Sequence, residues 1–164
     1  VLEGHAHAPW FDYAHQTLPL QFLSTFRRNI MLKKFVYWSG ASDFLVGFAT
    51  IGAAVYNSTA APVPSQFTAL MTLGMFLCMA AALLMWASED MQARAPVMVW
   101  QGLVRLTAIS SIIYAVPHGL AQSPYEYSLI PWDGSIGLVY IIGAMKVTGR
   151  SFFQLLLCKT DPKQ

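Results

Sequence analysis

Two ionisable residues stand inside stretches that are otherwise almost wholly apolar: Asp43 in "YWSGASDFLVGF" and Arg105 in "VMVWQGLVRLTAISSIIYAV". A charge at bilayer depth is costly. It persists where it meets a partner, a bundle interior or water, and it commonly marks a binding or proton-conducting position. Asp43 falls about eight residues into its stretch and Arg105 about ten into its own, roughly 12 and 15 Å at the helical rise per residue. If both stretches enter the membrane from one side, the two charges lie at similar depth. Ser39, Asp43 and Gly47 recur at i, i+4 and i+8, a stripe of small residues that lets helices approach closely. Gln101 shares a helical face with Arg105 by the same spacing. The expectation is an Asp43–Arg105 ion pair assisted by Gln101, with Glu89 and Asp90 as competing partners toward which Arg105 could snorkel. Such a cluster either fixes helix register or lines a pocket for a quinone, a lipid headgroup or a proton.

Other chemistry-bearing residues are sparser. His118 follows Pro117 at the end of an apolar stretch; haem or pigment ligation by a histidine pair would need a second histidine at matching depth. The other three, His5, His7 and His15, all precede the first apolar stretch. "EGHAH" spaces His5 and His7 as a ligand pair that would bind metal only with further ligands, so the expectation is no metal site. Asp133 follows Pro131 and Trp132 and is expected to open a helix, where a carboxylate suits the positive end of the macrodipole. Cys78 and Cys158 form no CxxC pair. Nucleotide-binding glycine loops, HExxH and GxSxG are absent, which argues against a self-contained hydrolase or ATPase. Nothing points to nucleic acid.

The elements that must position these residues follow from hydropathy. The chain is 55% hydrophobic and 11% charged, whereas soluble domains carry about a quarter charged residues. Four apolar runs, 35–56, 67–88, 95–117 and 129–147, are each close to the roughly 20 residues that cross a bilayer as a helix. No segment alternates polar and apolar residues as barrel strands do. The fold expected is all-α: an integral membrane four-helix bundle over 35–147, preceded by an N-terminal segment 1–34 and followed by a tail 148–164.

Residues 18–34 set Leu18, Phe22, Leu23, Phe26 and Ile30 at helical spacing beside Arg27, Arg28, Lys33 and Lys34. That is the pattern of an interfacial amphipathic helix or of a helix docked on a partner subunit. The tail, with Phe152, Phe153, Leu155, Leu156 and Leu157, has the same character. The loops 57–66 and 118–130 contain no Lys or Arg, while the termini and the loop around Arg94 are basic. The positive-inside rule then sets both termini on the cytoplasmic or matrix side. A cleaved secretory signal ahead of Val1 would oppose that count, whereas a removed mitochondrial presequence would agree with it. Bacterial and mitochondrial inner membranes are both open localisations.

The segments "SDFLVGF", "ASEDMQARAPVMVWQGLVRL" and "PWDG", in that order along four spans, resemble DoxX-like and related four-span bacterial membrane proteins. That resemblance implies a four-helix membrane fold and an association with redox or quinone-linked membrane systems; it implies no active-site residue. Three functional expectations stand. The first is a non-catalytic accessory subunit of a larger energy-transducing or redox complex such as a respiratory chain, favoured by small loops and by apolar segments at both ends suited to other membrane subunits. The second is a binder or carrier of a quinone or lipid using Asp43, Gln101 and Arg105. The third is a small membrane enzyme using the same groups. No cofactor is required; bound lipid is expected, and a quinone is compatible.

Overall fold

A computed structural model of the protein describes residues 14–60, 64–120 and 124–159, with side chains over 29–59, 66–120 and 127–159. The described residues form five helices: α1 (Ala14–Ala60), α2 (Pro64–Glu89), α3 (Ala95–Ala115), α4 (Pro124–Thr148) and α5 (Phe152–Leu156). There is no strand among the described residues. The first four helices are long and apolar enough to cross a membrane, over Asn29–Thr59, Gln66–Glu89, Ala95–Ala115 and Tyr127–Thr148. The chain is therefore an all-α four-helix protein of the membrane-spanning kind. The third span ends at Ala115 rather than 117, because Pro117 lacks the N–H that another turn would need.

Contacts divide the chain into two units, 1–32 and 33–164. In the first, the backbone is helical from Ala14 onward, and Ile30 and Met31 are exposed. The segment 18–34, expected as an interfacial amphipathic helix, is helical and falls within the range of α1. No Gly or Pro stands between Leu20 and Ser39 to interrupt it.

The second unit is the helical bundle. Prolines open α2 and α4 and occupy the first turn of α3, where a missing N–H costs no helical bond. The end of α4 is set by Gly149, whose φ of +67° suits a residue without Cβ and whose N–H donates to the Met145 carbonyl at 2.9 Å. The short α5 is closed by a reciprocal capping box between Ser151 and Gln154. It packs against the ends of α3 and α4 by burying Leu155.

Small residues hold the helices together. A methyl placed on Gly47 of α1 would lie 2.6 Å from the Cys78 Sγ and 2.9 Å from the Gly74 carbonyl oxygen of α2. A methyl on Gly102 of α3 would lie 2.8 Å from the Gly137 carbonyl oxygen of α4. Each pair is antiparallel, and backbone meets backbone along a glycine seam, the arrangement that lets helices pack without help from water. The interior is filled by Ala54, Ala81, Leu84, Met98, Val99, Tyr140 and Ala144, whereas Trp38, Phe48, Trp86, Trp100 and Trp132 face outward. Small inside and bulky apolar outside is the pattern a hydrocarbon surround permits.

Candidate functional site

Arg105 stands ten residues past Ala95, near the middle of α3, and its guanidinium is shared between two helices. Nη2 donates to the Asp43 carboxylate of α1, and Nη1 donates to the Asp133 carboxylate of α4. The Arg105 side chain is 13% exposed, against 20% for Asp43 and 21% for Asp133. Charge-assisted bonds of this kind are roughly twice as strong as neutral ones, and the planar fork of Arg can face two acceptors at once. The result is one cation clamped between two carboxylates, with a formal charge of −1, tying together three helices.

The backbone geometry explains how the fork reaches α4. Gly137 lies one turn beyond Asp133, and a methyl there would sit 3.1 Å from the Gly102 carbonyl oxygen and 3.5 Å from the Arg105 Cβ. Without a side chain at either glycine, α3 and α4 come close enough for Arg105 to meet Asp133 almost directly across. Asp133, Gly137, Tyr140 and Ala144 recur at i, i+4, i+7 and i+11, so one face of α4 carries them all.

Tyr140 completes the polar centre. It is fully buried, and the Arg105 Cζ lies 5.8 Å from its ring centroid, a cation–π arrangement. Its hydroxyl is hydrogen-bonded to the Ser39 hydroxyl of α1. Ser39 in turn donates to the Val36 carbonyl at 3.2 Å. Because Ser39 has a single hydroxyl proton, Tyr140 is the donor between the two. Phe35 packs edge-on against Tyr140 at 6.1 Å. Among the described residues, no buried side-chain nitrogen or oxygen is without a partner.

The structure brings Asp43 and Arg105 together and adds Asp133 and Tyr140. Asp133 is not the cap it was expected to be: α4 starts at Pro124, so Asp133 lies in the helix interior. Pro131 is also inside α4 and deprives only the Tyr127 carbonyl of its usual donor. The signal for Asp133 and Tyr140 was the α4 stripe just described, hidden by the wrong starting point. Gln101 is half-buried one turn before Arg105 but has no hydrogen bond to the triad among the described residues.

The competing acidic partners are occupied elsewhere. Glu89 pairs with Arg94 at 3.1 Å, and Asp90 accepts from the Ala93 N–H at 3.1 Å, both in the turn between α2 and α3. Arg94 also lies over the Trp86 ring at 4.0 Å. Neither acidic residue meets Arg105, because Glu89 ends α2 and Asp90 follows it, both ahead of α3, whose first residue is already ten residues from Arg105. His118 is stacked on Tyr114 at 4.2 Å, its Nδ1 2.7 Å from the Tyr114 carbonyl oxygen. No cluster of metal-ligating side chains occurs among the described residues. His5 and His7 lie outside the described residues, as does the side chain of His15.

Compared with known protein families, curated proteins and solved structures, the chain matches none of them. The likeness to DoxX-like four-span proteins therefore finds no counterpart among these comparisons.

Proposed function

We propose that the protein is a non-catalytic membrane subunit, an accessory component of a larger membrane assembly, in which the Asp43–Arg105–Asp133 triad sets helix register. One observation carries this reading: the polar groups at the bundle centre satisfy one another. Arg105 is taken up by two carboxylates and the Tyr140 hydroxyl by Ser39. A centre closed in this way holds three helices in register, and a reaction there would first have to break it. The described connections between helices are short, so most chemistry outside the bilayer falls to other chains. Arg27, Arg28, Lys33 and Lys34 around the start of the first span, Arg94 between α2 and α3, and Lys146 in the last turn of α4 support the proposed orientation, with both termini on the cytoplasmic or matrix side.

Extraction in a mild detergent, followed by native gel electrophoresis and mass spectrometry, tests the proposal. Comigration with other membrane subunits, redox subunits among them, is the expected result. A monodisperse monomer or homodimer recovered from native membranes overturns it.

A further inference from the structure

We propose that the groove between α1 and α4 is a binding site for an anionic phospholipid, with an acyl chain between Trp38 and Trp132 and the headgroup phosphate on Lys34. The groove has a volume of about 460 Å³ and is lined by Lys34, Trp38, Ser42, Trp132, Ser135 and Val139 among others. Its length suits a chain: Lys34 and Ser42 are eight residues apart, about 12 Å of helix. The two indoles are 69% and 67% exposed and supply broad apolar walls with one N–H donor each.

Charge decides the occupant. Lys34 forms no ion pair among the described residues, nor does its neighbour Lys33. The register that sets Ser39 against Tyr140 places Lys146 of α4, six residues past Tyr140, at the same end as Lys34, five residues before Ser39. Lys34 in the groove wall, with Lys33 and Lys146 at the same end, thus gives that end three cations without an ion pair among the described residues, a place for a phosphate. The serines in the wall offer no free proton: Ser42 donates to the Ser39 carbonyl and Ser135 to the Trp132 carbonyl, each at 2.8 Å, while Ser39 donates to Val36. A cation at the lysine end, the Trp38 indole one turn beyond it and an apolar wall running on to Trp132 complement in turn a phospholipid's phosphate, ester oxygens and acyl chain. The site does not use the triad, so its failure would leave the proposed subunit role untouched.

Bromolipid quenching tests the site. A variant that keeps Trp38 alone (W10F/W86F/W100F/W132F) is reconstituted in phosphatidylcholine vesicles containing a small fraction of brominated phosphatidylglycerol or, in parallel, brominated phosphatidylcholine. A second variant keeps only Trp100, which is exposed on α3 away from the groove. Trp38 is expected to be quenched preferentially by the anionic lipid, and K34Q to cut that preference about fivefold, the effect of one lysine near an anionic headgroup. V139F, which fills the groove without changing charge or adding a tryptophan, is expected to abolish it. Equal quenching of Trp38 by the two lipids overturns the proposal. So does an equal anionic preference at Trp100, or a preference that K34Q leaves undiminished. Should V139F not reconstitute, the K34Q and Trp100 readings decide alone.

Discussion

Gly102 of α3 and Gly137 of α4 face each other backbone to backbone, a methyl on Gly102 falling 2.8 Å from the Gly137 carbonyl oxygen. Arg105 lies one turn after the first glycine, and Asp133 one turn before the second. The ion triad is consequently a product of close packing: the charges meet because nothing larger than hydrogen separates the two helices there.

Substituting alanine at Gly102 is expected to destabilise the bundle by about 1–3 kcal/mol through overpacking. The methyl would also lie 2.7 Å from the Ile141 Cγ1. G52A is the contrast, since a methyl on Gly52 meets nothing within 4 Å and alanine is the better helix former by about 0.8–1 kcal/mol. Unfolding in a detergent–SDS series should lower the midpoint for G102A and hold or raise it for G52A.

R105Q removes the cation and leaves two partly buried carboxylates facing each other, a change expected to cost about 3–5 kcal/mol. R105K should recover only part of this, because an ammonium has no planar fork to divide between two helices. The triple variant D43N/R105Q/D133N, which removes all three charges, should recover most of it. The same SDS midpoints report these differences, and equal midpoints for R105Q and the triple variant would contradict the triad's role.

Exchanging Asp43 and Arg105 separates a two-member pair from a three-member cluster. In D43R/R105D, the carboxylate transferred to α3 stands beside Asp133, and a single guanidinium now reaches from α1. Full recovery relative to R105Q is expected only when D133N is added. Full rescue by the two-residue swap alone would show that Asp133 is dispensable.

Tyr140 and Ser39 make a buried hydroxyl pair, and its members should be energetically coupled. S39A leaves the Tyr140 hydroxyl without its acceptor in the bundle core, which costs about 1–3 kcal/mol. Y140F removes the buried hydroxyl itself and should cost less. The double variant should lie close to Y140F, and a double-mutant cycle on unfolding midpoints measures the coupling.

The four spans were legible because long apolar runs leave little choice of structure, and the depth of Asp43 and Arg105 followed from counting residues along two helices entering from one side. Asp133 was hidden for a local reason. "SLIPWDG" reads as a helix start, since Pro at the first position and Asp near it are good openers, and nothing nearby reveals that α4 begins at Pro124. Gln101 illustrates the opposite error: the i, i+4 spacing puts it on the Arg105 face, yet two carboxylates outcompete a neutral amide for the guanidinium. Tyr140 needed the register between α1 and α4, which is a tertiary fact.

The connectivity of the triad imposes an order of synthesis. Asp43 precedes Arg105 by 62 residues and Asp133 follows it by 28. As the chain leaves the ribosome, α1 and α2 can close their glycine seam as a hairpin, but the carboxylate on α1 has no counter-ion in the bundle until the third helix arrives. A chain halted after α2 therefore carries Asp43 without the counter-ion that the finished bundle gives it.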